Sequence, residues 1–370
     1  MRNSFYCLVI LLLLFACDSK HTTKKYNDSE MIILSGEILK TKGDLNAFVF
    51  NLLLDSIVIM EPMGSYNELM LHEYRISKDS LVDMRRGFLS QGNGPCEFNV
   101  WQSAYDKTSR RLFFLENSGV LTHGASVCID TLEHLYDNSK WQRIEGLSQI
   151  KKFKGRSAFV PLEDEKLLVV GAFYDQDAIL SVLNYETLSV SQLNFWPADG
   201  FGGQNGVKQN VYMDNSRVFK NNRTNRLLYV CGLGQYIKLF DLIGDSITFE
   251  KDILDTYPLY TVKPDGLNYK YDEGCEQGLN AYVTDSFIYV RPMEYVASKS
   301  KPFWKAAYKG YPYNYSDHLW VFNWEGELVH KYETDTPFYD FMVTDDNRIL
   351  YVTTEDLNTE EVLMKRYFLQ

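Results

Sequence analysis

The sequence predicts an all-β protein whose main domain is a six-bladed β-propeller with four-stranded blades. Three observations predict it: an apolar tetrad that recurs along the chain, alternating strand patterns between its copies, and an aromatic content of 15% with 26 Tyr and 22 Phe. Aromatic and β-branched side chains favour strands because they fit a pleated, half-buried surface. On length alone, 370 residues would also allow two domains.

The internal repeat consists of four consecutive apolar residues after a short polar turn. Its copies begin at residues 57, 112, 167, 227, 287 and 349, so consecutive copies lie 55, 55, 60, 60 and 62 residues apart. The copies are Ile57-Val58-Ile59-Met60, Leu112-Phe113-Phe114-Leu115, Leu167-Leu168-Val169-Val170, Leu227-Leu228-Tyr229-Val230, Phe287-Ile288-Tyr289-Val290 and Ile349-Leu350-Tyr351-Val352. The turn predicts a hairpin, and the unbroken apolar run predicts a second strand that is buried on both faces.

Further strand patterns follow the tetrads. Residues 177–193, 235–250 and 318–332 each contain two strand-like halves around a polar turn, which is typical of a hairpin. Each unit therefore holds about four strands, as a propeller blade does. A β-solenoid would have a shorter repeat, and a two-layer sandwich would not show six equal units.

The two ends of the domain predict how the ring closes. The last unit has one strand-like segment after its tetrad, residues 362–369, and lacks an outer strand. Residues 31–39 precede the first hairpin and have no partner within it. We expect this N-terminal strand to complete the last blade and to remove an exposed sheet edge. The propeller domain accordingly spans residues 31–370.

The N-terminus has the layout of a secretory signal peptide over residues 1–16. Arg2 is followed by a 12-residue apolar run, residues 5–16, which is shorter than the roughly 20 residues of a membrane-spanning helix. The run ends in Leu14-Phe15-Ala16-Cys17, which resembles the lipobox of bacterial lipoprotein signals. The resemblance implies that Cys17 carries a lipid anchor; the alternative is an ordinary signal peptide with a chance Cys.

Residues 17–30 form a polar stretch that we interpret as a tether. The predicted location is the cell envelope, with the membrane as a partner through the lipid. Because no acidic run follows Cys17, an anchor facing the periplasm is favoured over display on the cell surface. The formal net charge of −11 makes nucleic acid an unsuitable partner, since the protein and the phosphates repel each other.

A glycine-rich motif follows the first predicted blade. Gly92, Gly94, Pro95, Glu97 and Phe98 resemble the G-x-G-P-x-E-[FY] signature of TolB-like six-bladed propeller lipoproteins, which are abundant in gut Bacteroidota. The resemblance implies an anchored, exported propeller without an established activity. The glycines would allow positive φ or close backbone approach, and the proline would stiffen the turn. Glu97 is expected either to cap amides of this turn or to meet a ligand or cation at the rim of the channel.

The cysteines leave two alternatives open. Cys96, Cys128, Cys231 and Cys275 follow the signal segment, and export would permit disulfides with three possible pairings. No pair has CxxC spacing, and we favour free thiols packed in the core. Cys96 also stands where many TolB-like proteins have Gly.

The sequence contains no recognisable catalytic motif. GxSxG, HExxH and P-loop patterns are absent from the chain, and its six His are scattered. We therefore favour a non-catalytic binding or scaffold protein without a cofactor. A calcium-dependent hydrolase of the lactonase type is the alternative, because some six-bladed propellers hold calcium on their axis. The 49 Asp and Glu residues offer too many candidate ligands to choose among.

Two aromatic loops, residues 195–206 and 295–315, suggest a third function, the binding of a glycan or a peptide. Long loops on a rigid scaffold often carry function, and aromatic faces beside polar groups suit sugars. The alternative is that these rings pack over the blades as a lid on the core. The candidate ligand-binding residues are Trp196, Trp304, Tyr311, Tyr313 and Tyr315.

We expect Cys17→Ala to abolish incorporation of labelled palmitate, because only the thiol at the lipobox position can take the lipid. The measurement is metabolic labelling followed by immunoprecipitation, with Cys7→Ala as the control that keeps its label. Equal labelling of the Cys17 variant and the unaltered protein would contradict lipidation at this residue.

Overall fold

The computed structural model describes residues 30–43, 45, 47–62, 69–92, 94, 96–99, 101–116, 123–150, 153–154, 158–173, 178–201, 206–266, 268–271, 278–293, 307–312 and 314–370. The predicted signal peptide, Cys17 and nearly all of the predicted tether lie outside the described residues. In the described ranges, no helix is long and apolar enough to cross a membrane.

The described residues form a six-bladed β-propeller with four-stranded antiparallel blades, as predicted. Three short strands come first: β1 (Met31–Leu34), β2 (Glu37–Ile38) and β3 (Lys40–Lys42). Blade 1 contains β4 (Ala47–Leu54), β5 (Ile57–Pro62), β6 (Leu69–Ile76) and β7 (Ser80–Ser90). Blade 2 contains β8 (Trp101–Asp106), β9 (Arg111–Glu116), β10 (Gly124–Cys128) and β11 (Trp141–Ile144), with helix α1 (Glu133–Tyr136) and a 3₁₀ turn (Asn138–Lys140) before β11.

The second part of the ring starts with a 3₁₀ turn (Leu147–Gln149) and strand β12 (Phe153–Lys154). Blade 3 contains β13 (Phe159–Pro161), β14 (Lys166–Val170), then β16 (Leu180–Asn184) and β17 (Ser189–Gln192), while β15 (Ala172–Phe173) pairs with β12. Helix α2 (Gly206–Met213) precedes blade 4, which contains β18 (Arg217–Lys220), β19 (Leu227–Val230), β20 (Gln235–Ile243) and β21 (Ser246–Thr256).

The last third of the chain begins with the hairpin of β22 (Tyr260–Val262) and β23 (Tyr269–Tyr271). Blade 5 contains β24 (Leu279–Val283), β25 (Phe287–Pro292), then β28 (Ser316–Asn323) and β29 (Leu328–Phe338), with the small hairpin of β26 (Ala307–Tyr308) and β27 (Tyr311–Pro312) between its halves. Blade 6 takes β30 (Asp340–Val343), β31 (Ile349–Glu355) and β32 (Val362–Phe368) from the end of the chain.

Each apolar tetrad lies on the second strand of its blade and is buried on both faces. In blade 2, Leu112 and Phe114 belong to the cluster shared with blade 1, whereas Phe113 and Leu115 belong to the cluster shared with blade 3. The same alternation holds around the ring, and the described residues form six hydrophobic clusters, each between two neighbouring blades. Successive strand side chains point to opposite faces, so one apolar run supplies two cores.

The N-terminal segment closes the ring as predicted, and it also pairs with the two blades on either side of blade 6. Strand β2 pairs antiparallel with β32 and supplies the outer strand of blade 6. The sequence did not predict the other two pairings: β1 adds a parallel strand to β29 of blade 5, and β3 adds one to β7 of blade 1. A dozen residues therefore join three neighbouring blades, and they cover three sheet edges at once.

Polar contacts hold this segment in place. Asp335 accepts hydrogen bonds from the Gly36 backbone amide at 3.1 Å, the Lys365 Nζ at 2.7 Å and the Tyr367 hydroxyl at 2.8 Å. Gly36 leaves room for this packing, because a Cβ there would lie 2.5 Å from the Tyr367 ring. Burial tends to raise the pKa of Asp335, but the hydrogen bonds from Lys365, Tyr367 and Gly36 outweigh it and lower the pKa below its usual value.

We expect Asp335→Asn to lower the free energy of unfolding by about 1 kcal/mol at pH 7, because the lysine loses its charged partner. Because the pKa of Asp335 is lower in the folded state, its ionised carboxylate stabilises the fold at pH values above the pKa of an unfolded Asp, about 3.9. This contribution is lost as pH falls through the pKa of Asp335 in the folded state. The difference between the variant and the unaltered protein should therefore shrink below pH 4. Urea unfolding from pH 7 to pH 3 measures it, with the exposed Asp255→Asn as control. A difference that is constant over this range would contradict the assignment.

Candidate functional site

The inner strands of all six blades surround a central cavity of about 650 Å³. These strands are β4, β8, β13, β18, β24 and β30. A cavity of this size is in the range of small-molecule sites. Because every blade contributes to its wall, the cavity can bring residues from the whole ring into contact with one ligand.

A chain of hydrogen bonds joins four blades at one end of the channel. Arg217 on blade 4 donates from Nη1 to Asn280 Oδ1 at 2.8 Å, and Asn280 on blade 5 donates from Nδ2 to Asp340 Oδ1 at 2.7 Å. Asp340 on blade 6 also accepts from the backbone amide of Phe50 on blade 1, at 2.9 Å. Asn280 and Asp340 are buried, whereas Arg217 is exposed. The chain fixes the positions of one cation and one carboxylate at the channel wall.

A second cavity of about 450 Å³, which we call the mouth cavity, adjoins this end of the channel. It shares Val49, Asn215, Arg217 and Asp340 with the central cavity. Its other lining residues are Asp214, Gly232, Leu233, Leu279, Asn280, Arg291, Met293, Asn314 and Tyr339. Arg217 and Asp340 therefore face both the channel and its mouth.

Arg291 is the most deeply buried charged group of the mouth cavity, with a 3% exposed side chain. Its Nη1 donates to the backbone carbonyls of Asn314 and Phe338, and its Nε has no hydrogen-bond partner among the described residues. Burial lowers the pKa of Arg291 to about 10, although nearby Asp340 raises it. The guanidinium therefore remains charged at neutral pH.

The channel itself carries polar acceptors. Asn51 donates to Ser103 at 2.7 Å, but its Oδ1 is buried without a partner among the described residues, and so is Gln102 Oε1. Glu61 opens onto the same cavity, and the surrounding protein raises its pKa by desolvation. These groups suit hydroxyl or amine donors of a bound molecule.

The predicted glycine motif forms a tight turn around Glu97. The Glu97 carboxylate accepts from the Gly94 amide at 2.8 Å, and the Glu97 amide donates back to the Gly94 carbonyl at 3.2 Å. Gly92 has φ of +152°, and a Cβ there would lie 2.1 Å from Glu97 Oε2. The carboxylate thus caps an amide of its own turn, one of the two roles expected for it. Pro95 lies outside the described residues.

The first aromatic loop is tied down by a buried carboxylate. Asp199 accepts from Lys208 Nζ at 2.5 Å, from the Tyr212 hydroxyl at 3.0 Å and from the Tyr260 hydroxyl at 3.2 Å, and its side chain is fully buried. Trp196 is partly buried against the hydrophobic cluster between blades 3 and 4. Trp196 therefore lies over a core, and it is not among the residues that line either cavity.

The second aromatic loop reaches the mouth cavity. Tyr315 is buried and stacks on Tyr311 with ring centroids 5.3 Å apart, and it contacts Tyr339 at 5.7 Å. Tyr339 and the loop residue Asn314 line the mouth cavity. The structure thus brings Tyr311 and Tyr315 close to the site but behind its wall, whereas Trp304 and Tyr313 lie outside the described residues.

The polar residues of the mouth were not predicted from the sequence. Arg217, Asn280 and Asp340 lie ten, seven and nine residues before the tetrads that begin at 227, 287 and 349. The sequence therefore carries a signal for these three residues: a polar side chain near the start of the inner strand, seven to ten residues before the tetrad. Arg291 carries no such signal, because it follows the tetrad of blade 5 in an ordinary strand pattern.

One group of three potential metal ligands occurs among the described residues, and it lies away from the channel. Asp317, His318 and Glu333 belong to the outer strands of blade 5. Lys309 forms an ion pair with Asp317 and lies 3.5 Å from Glu333. The ammonium group of Lys309 already pairs with these carboxylates, so the cluster is not suited to calcium.

Three of the four cysteines that follow the predicted signal segment are described, and all three are free thiols. Cys96 and Cys128 are half-buried, and Cys231 is buried. Burial raises the pKa of Cys231 to about 11, so this thiol stays protonated and behaves as a small core residue. Cys275 lies outside the described residues.

Several solved structures of low sequence identity are similar to this chain. A member of the DUF4221 family from Bacteroides vulgatus covers 92% of this chain and 97% of its own length, with 10% identity and a TM-score of 0.48. A Bacteroides fragilis protein whose export is inferred covers 91% and 95%, with 11% identity and a TM-score of 0.51. A luciferin-regenerating enzyme covers 91% and 95%, with 10% identity and a TM-score of 0.44.

These similarities concern the fold alone. No protein-family model and no curated protein matches the sequence. The protein is thus a six-bladed β-propeller that has a ligand-sized cavity on its axis and a mouth cavity with charged residues at one end.

We expect Asn280→Ala to lower the free energy of unfolding by about 1–3 kcal/mol, because it leaves a buried oxygen of Asp340 without its donor and breaks the link between blades 4 and 6. Denaturant unfolding at pH 7 measures this loss. The exposed Asn358→Ala should change stability by less than about 0.5 kcal/mol. Equal midpoints for the two variants would show that the chain of hydrogen bonds does not stabilise the ring.

Proposed function

We propose that this protein is an exported, lipid-anchored propeller that binds a small molecule at the mouth of its central channel without chemically transforming it. The observation that carries the proposal is the pair of adjoining cavities, about 650 and 450 Å³ in volume, with Arg217 and Asp340 facing both. Sites of this kind combine a mostly preformed concave surface with a few fixed polar groups.

The lining of the two cavities favours binding over catalysis. Nucleophilic catalysis needs a nucleophile beside a base, and metal catalysis needs several converging ligands. Neither His nor Cys occurs among the described residues that line the cavities. Instead, Asp340 and Arg217 are held by a neutral amide, Asn280, which is a way to fix charges in position for recognition.

The proposed cellular role rests on the N-terminus and on the structural comparison. The lipobox-like residues that end at Cys17 support an anchor in the cell envelope, and a TolB-like relationship agrees with the six-bladed fold. The Bacteroides fragilis propeller, whose export is inferred, supports export of this chain. We propose that the tether, residues 17–30, connects the membrane to the closing segment of the ring, with the propeller facing the periplasm.

Glycan binding is the more specific form of this proposal. The Tyr311–Tyr315–Tyr339 stack stiffens the wall of the mouth cavity, and Tyr339 lines it. Aromatic rings beside hydrogen-bonding groups suit the faces of sugar rings. Calcium remains the alternative cofactor, and it is included in the test because propeller ligands to a metal come from distant positions in the sequence.

We expect the melting temperature of the protein to rise with at least one small-molecule glycan or acid and to stay unchanged with calcium or chelator. A ligand at 100 times its Kd adds about 2.7 kcal/mol, which shifts the melting temperature by several degrees. Differential scanning fluorimetry measures this shift. A shift that needs calcium would favour the lactonase-type alternative, and a flat response across the panel would favour scaffolding of a protein partner.

A further inference from the structure

The mouth cavity contains two guanidinium groups that have no acidic partner. Arg217 donates to an amide oxygen and Arg291 to two backbone carbonyls, and neither forms an ion pair among the described residues. Buried lysines among the described residues are paired: Lys208 Nζ lies 2.5 Å from Asp199 Oδ1, and Lys365 Nζ lies 2.7 Å from Asp335 Oδ1. Burial of a cation without a counter-charge is costly, so the buried Arg291 calls for another explanation, and the exposed Arg217 adds a second guanidinium to the same cavity.

The carboxylates that line the mouth form no ion pair with these arginines. Both oxygens of Asp340 are engaged, one with Asn280 and the other with the Phe50 amide. Asp214 accepts from the Tyr269 hydroxyl at 3.3 Å. Neither carboxylate lies within 4.0 Å of an arginine nitrogen in the described structure. Asp340 is near enough to raise the pKa of Arg291, but the lining provides no carboxylate in direct contact with either guanidinium.

We propose that the mouth cavity binds the carboxylate of a small hydroxylated acid, a sugar acid in chemical class. This inference rests on the proposed binding function and specifies its ligand. Arginine presents planar donors that match a carboxylate in geometry. The cavity of about 450 Å³ has room for one sugar ring, with Tyr339 in its wall.

Acceptors near the arginines suit the hydroxyl groups of such a ligand. Asn314 Oδ1 is buried at the mouth without a partner among the described residues, and the adjoining channel offers Asn51 Oδ1 and Gln102 Oε1 in the same state. Guanidinium donors together with free amide acceptors match a molecule that carries one carboxylate and several hydroxyl groups. A fully ionised polyanion would leave these acceptors without donors.

The test uses matched sugars that differ only in the carboxylate. Isothermal titration calorimetry of the full-length chain in detergent at pH 7 compares D-glucuronate with D-glucose and D-galacturonate with D-galactose. We expect at least one acid to bind tenfold or more tightly than its neutral counterpart. Arg217→Gln should remove most of this tenfold preference, which equals about 1.4 kcal/mol, because the neutral amide cannot form a charged hydrogen bond to the carboxylate.

Arg223→Gln is the matched control, since Arg223 lies on the turn between β18 and β19 of the same blade and has a 71% exposed side chain. It should leave the affinity for the acid unchanged. Melting temperatures of both variants establish that the ring is intact. Retention of the full preference in Arg217→Gln would overturn the proposal.

Other outcomes separate this inference from the binding function on which it rests. Equal affinity for the acid and the neutral sugar would overturn the carboxylate site and leave a glycan-binding channel. Displacement of the acid by equimolar inorganic phosphate would overturn it in favour of a general anion site. No heat with any of the four sugars would overturn it as well, and the wider ligand panel would then decide whether the channel binds small molecules.

Discussion

The ring depends on the packing of each blade's second strand between two neighbours. In β14, Leu168 and Val170 face the cluster shared with blade 4, whereas Leu167 and Val169 face the one shared with blade 2. Burial of such a side chain contributes roughly 1.5–3 kcal/mol. A blade removed from the ring would expose both faces of this strand, so no blade is expected to be stable without its neighbours.

A ring built in this way has one weak joint, where the two ends of the chain meet. Strand β2 is only two residues long, so its backbone pairing with β32 forms a short joint for a whole propeller. The pairings of β1 and β3 with the adjacent blades distribute the closure over three sheets, and Asp335 and the Arg366–Glu37 ion pair at 2.6 Å add polar contacts. The predicted tether, residues 17–30, leads directly into this segment, so the proposed membrane anchor and the ring closure are adjacent in the chain.

The candidate site follows from the same geometry. Inner strands bring residues that are about 60 positions apart in the sequence to one end of the channel, as Arg217, Asn280 and Asp340 illustrate. The aromatic residues that the sequence suggested take supporting positions: Trp196 covers a core, and Tyr315 lies behind the wall of the mouth. The tyrosines of the second loop therefore lie near the site, whereas the polar groups that line it were not among the residues suggested by the sequence.

The sequence by itself determined the number of blades, the position of each second strand and the origin of the outer strand of blade 6. These properties follow from local periodicity and from the need to bury every apolar run, which one chain displays directly. Only the tertiary structure decided that the N-terminal segment also pairs with blades 5 and 1, that the Glu97 carboxylate folds onto its own turn, and that Arg291 is buried beside Arg217. The strand pairings and the two arginines join residues far apart in the sequence, which no local pattern encodes. The Glu97 contact is local, but the sequence allows this side chain two roles and does not choose between them.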